Sequence, residues 1–108
     1  MNRAFLIGRL TKDPEVRQSD TKIAKYTLAV DRRGEGADFI PCTTFGKGAE
    51  FAEKYLSKGT KIAVVGRIQT GSYTNNEGRK IYTTDVIVEE HEFCEKKADN
   101  IDDGNPFV

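Results

Sequence analysis

The chain has 108 residues, room for one domain built on one modest core. Charged residues make up 31% and hydrophobic ones 37%, which excludes a wholly disordered chain, and no apolar run approaches the ~20 residues of a membrane-spanning helix. Net charge is zero, but residues 1–88 carry 15 Lys and Arg against 10 Asp and Glu, whereas residues 89–108 carry 2 against 7, so a basic body is joined to an acidic end.

Alternating hydrophobicity dominates the body. NRAFLIGRL reads as a first strand, and its apolar run AFLIG is too short for a secretory leader, so the cytoplasm is the expected compartment. TKDPEVRQSDT follows as a polar connection, with Pro14 and Ser19-Asp20 as turn chemistry. KIAKYTLAV is a second strand in which Ala24, Tyr26, Leu28 and Val30 share one face. DRRGEGA is a glycine-bearing turn and DFIPCTTF a third strand. GAEFAEKYLSKG breaks the pattern: Ala49, Ala52, Tyr55 and Leu56 fall on one side at helical spacing, and Lys58-Gly59 resembles a helix end. TKIAVVGRIQ returns to strand, GSYTNNEGR reads as a hairpin loop, and KIYTTDVIVEEHEF is the last strand. Apolar periodicity stops there, which sets a domain over 1–95 and a flexible acidic tail over 96–108. Three strands, one short helix and two strands is the element order of the OB-fold, a five-stranded Greek-key barrel with its helix between strands three and four. An SH3-like barrel would not need the helix there.

The aromatic residues divide by parity. In DFIPCTTF, Phe39, Pro41, Thr43 and Phe45 share one side of the strand, and Ile40, Cys42 and Thr44 share the other. Only one set can face a barrel interior, unless Pro41 marks a bulge that resets the register. If the phenylalanines point in, they are core. If the smaller residues point in, two rings stand on the outer face as a platform for nucleobases, worth ~1–3 kcal/mol per stacked base whatever its identity. Periodicity leaves both open. Tyr73 has polar or glycine neighbours and is expected to be exposed in its hairpin loop, with Arg79 and Lys80 across from it. Arg32, Arg33, Lys47, Lys58 and Arg67 are spread through the body; each alone is ordinarily a solvated charge. Interleaved with aromatics, such cations suit a single nucleic-acid strand, rings meeting bases and cations meeting phosphates.

Catalytic chemistry has little footing. His91 is the only histidine, so a nucleophile-base-acid triad has no ordinary base. His91 and Cys94 form an H-x-x-C pair with Cys42 far off in sequence, too few ligands for a zinc site, and both cysteines are expected to be reduced. Gly46-Lys47-Gly48 lacks the other positions of a phosphate-binding loop. No enzyme activity, metal or cofactor is expected.

NRAFLIGRLTKDPEVR, then TLAVDR, then DFIPCTTFGKGAEFAEKYLSKGTKIAVVGRIQTGSYTNNEGRKIYTTDVIV, in this order and spacing, resembles the bacterial and phage single-stranded DNA-binding protein family over residues 1–93. The resemblance implies an OB-fold protein, usually a homotetramer, that coats single-stranded DNA without strong sequence preference in replication, recombination and repair. It implies base stacking by Phe39, Phe45 and Tyr73, which favours the outward reading of the two phenylalanines. Arg3, Arg32, Lys47, Lys58, Arg67, Arg79 and Lys80 are then the candidate phosphate contacts, in a protein associated with the nucleoid and replication fork. Many members carry tryptophan at the Phe39 and Tyr73 positions and basic residues where Gly71 and Ser72 stand here, a departure that points to weaker stacking or a different strand path.

The same resemblance gives a meaning to the ending NIDDGNPFV. Family members close on an acidic tip ending in Pro-Phe that docks into basic-rimmed apolar pockets of replication, recombination and repair proteins. Asp102 and Asp103 would supply charge, Pro106 restriction and Phe107 the apolar anchor, although Val108 follows the phenylalanine where the usual tip stops. Two other readings stand beside this one. An OB-fold module for RNA or protein assembly would show no preference for single-stranded DNA, and an enzyme with a minimal metal site at His91 and Cys94 would hold stoichiometric zinc.

Overall fold

Alternating side chains build six strands, and one helical stretch interrupts them. The order is β1 (Ala4–Leu10), β2 (Glu15–Gln18), β3 (Lys22–Asp31), β4 (Ala37–Phe45), α1 (Lys47–Tyr55), β5 (Lys61–Thr74) and β6 (Lys80–Phe93). The structure is a computed structural model in which residues 1–94 are described; the tail expected over 96–108, with Asp102, Asp103, Pro106 and Phe107, lies outside the described residues.

The strands form one sheet in the order β1-β5-β6-β4-β3-β2, and β1 also meets β3 through Arg9↔Ala29 and Leu10↔Leu28. That last pairing closes β1, β5, β6, β4 and β3 into the five-stranded barrel of an OB-fold, with α1 between its third and fourth strands. β4 and β6 run parallel at Cys42↔Val86 and Thr43↔Ile87, while the other pairs are antiparallel. β2 stands outside the barrel on the edge of β3, from Glu15↔Lys25 to Gln18↔Lys22. It corrects the polar connection expected there. Four residues, of which only Val16 packs against the core, are too few for alternation to register.

The barrel interior holds Leu10, Ala24, Tyr26, Leu28, Cys42, Ile62, Val64, Val86 and Val88. Of the β3 parity Ala24, Tyr26, Leu28 and Val30, the first three are buried and Val30 is partly so. Helix α1 brings Ala49 and Ala52, with Leu56 just past its end, against the same core. Gly46 turns the chain into it at φ 60°, a conformation that favours glycine. At Gly48 a Cβ would collide with the Thr44 hydroxyl, so the missing side chain is what lets the helix approach β4. The glycines around Lys47 therefore serve packing. Tyr55, expected on the inner helix face, is 48% exposed; Phe51 packs against the core instead, its ring 5.1 Å from that of Tyr55.

β5 and β6 are twice the usual strand length, paired from Ile62↔Phe93 to Thr74↔Lys80. Burial on β5 ends at Gly66 and on β6 at Val86, and beyond them the hairpin is an arm with no buried residue. The loop expected over GSYTNNEGR shrinks to residues 75–79, because Gly71, Ser72, Tyr73 and Thr74 are all paired with β6. Asn75 closes that turn by accepting from the backbone N–H groups of Glu77 and Arg79 at 2.9 and 3.0 Å.

Candidate nucleic-acid interface

Pleating and register decide which residues share the outer face. On β4 the interior receives Ile40, Cys42 and Thr44, and Phe39, Pro41, Thr43 and Phe45 point out. Pairing with β3 runs unbroken from Ile23↔Phe45 to Asp31↔Ala37, so Pro41 resets nothing. It sits where β4 has β3 alone beside it, since β6 joins only at Cys42 and Thr43. Phe39 is 64% and Phe45 47% exposed. The outward parity is the one adopted.

The face continues across the sheet. Thr43 pairs with Ile87, and Ile87 with Arg67; two-residue steps along β5 from Arg67 reach Gln69, Gly71 and Tyr73 on the same side. Tyr73 is 58% exposed there, opposite Ile81. Phe39, Phe45 and Tyr73 thus lie on one continuous surface spanning β4, β6 and β5. Thr43 and Ile87 form its floor: both are buried, yet neither belongs to the barrel core cluster. Sequence parity could not find Ile87, because VIV in β6 is apolar at every position.

The expected cations are not gathered into one cluster. Arg3 and Arg67 converge on Glu89, with Arg3 Nη1 3.1 Å from Oε1 and Arg67 Nε 3.9 Å from Oε2. Arg32 pairs with Asp38 at 2.9 Å in the β3–β4 turn. Lys47 opens α1, and Lys58 follows it in a turn where its backbone N–H donates to Asp13 Oδ1 at 2.8 Å. Arg79 ends the arm loop. Lys80 pairs with Thr74 and sends its ammonium over the Tyr82 ring at 5.6 Å, on the reverse face of the arm from Tyr73. Expecting Lys80 beside Tyr73 overlooked that adjacent strand residues point to opposite faces. Glu89 was missed altogether; it is the extra residue where the β5–β6 register shifts, a position that only pairing reveals.

His91, weighed as half of a metal pair, faces inward beside Val64. Its Nε2 shares a 2.8 Å hydrogen bond with the Tyr26 hydroxyl, and its ring stacks on Phe51 at 5.0 Å. Burial pushes the imidazole down to about 4. Among the described residues no group of three or more His, Cys, Asp or Glu is placed to hold a metal ion.

Residues 1–94 match the single-strand binding protein family. The chain is 49% identical to a single-stranded DNA-binding protein of Clostridium perfringens, an alignment covering 97% of this chain and 69% of the relative. It is 48% identical to one from Staphylococcus aureus strain N315, over 93% of this chain and 69% of that protein. Single-stranded DNA-binding protein 2 of Clostridium acetobutylicum is 47% identical over 98% of this chain and 89% of its own length. With this match over the whole barrel, the chain belongs to the single-strand binding protein family, a family of binding proteins and not of enzymes.

Proposed function

We propose that the chain binds and protects single-stranded DNA without reading its sequence. The observation that carries this reading is the common outer face of Phe39, Phe45 and Tyr73, three exposed rings whose spread suits successive bases of one strand. Arg3, Arg32, Lys47, Lys58, Arg67, Arg79 and Lys80 meet phosphates around that face, Arg79 and Lys80 where the strand rounds the tip of the arm. Arg3 and Arg67 reach phosphate only by exchanging or sharing Glu89, a term that lowers their contribution. The protein works in the cytoplasm, at the nucleoid and replication fork, in DNA replication, recombination and repair. It acts as a homotetramer and recruits proteins of those processes through Asp102, Asp103, Pro106 and Phe107. The relatives named for single-stranded DNA binding support the ligand, and the open edge of β1 supports assembly with further copies.

The test is fluorescence anisotropy of labelled oligo(dT), with duplex DNA and RNA of equal length as competitors. Tight binding that neither displaces well is expected, with Phe39→Ala, Phe45→Ala and Tyr73→Ala each losing ~1–3 kcal/mol. Equal competition by RNA would replace this reading with a general nucleic-acid module, and no binding at low salt would remove it.

A further inference from the structure

Two cations near the phenylalanine platform lie outside the proposed phosphate set. Phe45 pairs with Ile23, and Ile23 with Arg17, which puts these three in one row across β4, β3 and β2. Thr43, Lys25 and Glu15 form the neighbouring row. Because Ala24, Tyr26 and Leu28 are buried, Lys25 points out on the face of Phe45. Val16 packs against the core, so Arg17 also points out. Paired strands lie about 4.8 Å apart and diagonal neighbours about 7–8 Å, so Lys25 and Arg17 reach the solvent immediately beyond the Phe45 ring.

These two cations differ from Arg3, Arg67 and Arg32. Among the described residues neither Lys25 nor Arg17 takes part in an ion pair or a side-chain hydrogen bond. Glu15 stands across from Lys25 but outside ion-pairing distance. Together with Val16 and Ile23, the three charged residues line an open groove of about 560 Å³ along the β2–β3 pair. A phosphate arriving here displaces no ion-paired carboxylate from either cation, and its attraction to them is opposed only by the nearby charge of Glu15.

We infer that this groove is a phosphate-binding subsite that carries the DNA strand past Phe45 and over the β3–β2 edge, with Lys25 and Arg17 each neutralising one phosphate. β2 acquires a role on this view: it is the short rail that holds Arg17 level with Phe45. The inference rests on the single-strand reading of the outer face. It is tested by oligo(dT) titrations of the full chain over a salt series, comparing wild type with Arg17→Gln/Lys25→Gln and with Glu15→Gln. The double variant should bind about tenfold more weakly at low salt, with a salt slope shallower by ~1.4, the ~0.7 per phosphate expected for single strands. Glu15→Gln, which removes the one acid of the groove, should bind about threefold more tightly at low salt, where a single surface charge is least screened. Wild-type binding with an unchanged slope in the folded double variant would overturn this inference alone. Absence of wild-type binding would overturn the interface reading and this subsite with it. Should the double variant unfold, the Glu15→Gln titration decides: unchanged affinity overturns the subsite.

Discussion

Burial changes the chemistry of three side chains that sequence alone could regard as reactive. Desolvation pushes the Cys42 thiol up to about 12 and raises the Tyr26 phenol well above its ordinary range. Neither is a nucleophile near neutrality. His91 moves the opposite way, from 6.5 to about 4, because the same loss of water disfavours its cationic form. The unfolded chain therefore takes up this proton first. Stability from the neutral ring is fully present above pH 6.5, declines as pH falls from 6.5 towards 4, and changes no further below that. Since the ring keeps some access to solvent, screening reduces the effect to about 1–2 kcal/mol. Urea unfolding at pH 7 and pH 4.5 should show this loss in the wild type, over and above whatever the carboxylates contribute, and His91→Gln should lack that increment.

At the scale of elements, β1 is the part left unfinished within one chain. It pairs fully with β5 from Ala4 to Arg9, but with β3 only at Arg9 and Leu10, leaving an open edge before that point among the described residues. Phe5 and Ile7 stand exposed on its outer face. An apolar strand with a free edge is a template for another strand, and a second copy of β1 is the natural occupant in the proposed homotetramer. Phe5→Glu/Ile7→Glu should dissociate the assembly, read as a fall in mass by sedimentation velocity, while far-ultraviolet circular dichroism stays unchanged. A monomeric wild type would count against it. Most elements were legible because their apolar residues alternate over seven or more positions. β2 was not, since one inward valine makes no pattern. Tyr73 was assigned to a loop because Gly71 and Ser72 look like turn residues, yet pairing along the whole arm holds them in strand.

For the whole molecule, charge is the quantity that links body and tail. The acidic residues beyond 88 balance a basic body, and we propose that at low ionic strength they compete with DNA for its cations. Deleting residues 96–108 should tighten oligo(dT) binding at low salt by roughly two- to tenfold, with the difference vanishing as salt screens both. Equal affinities of the two chains at low salt would exclude that competition. In the full chain, Phe107→Ala should leave DNA affinity unchanged but weaken capture of partner proteins, measured with a purified replication or repair protein; unchanged capture would remove Phe107 from the partner site.

Local chemistry was enough to determine the strands of the barrel, the helix that interrupts them and which residues of β3 share a face, because pleating and helical pitch impose their periods on neighbouring residues. It also put Phe39 and Phe45 on one parity, and the unbroken β3–β4 register removed the alternative of a bulge at Pro41. Which way that parity points was a tertiary decision, made by the closure of β1 on β3 and the packing of Cys42 and Thr44 beneath α1. Only the register between strands could bring Tyr73 onto the same face, set Glu89 between two arginines, or level Arg17 with Phe45. Those residues are far apart in the chain, and what they share is a row of backbone hydrogen bonds that no single stretch of sequence contains.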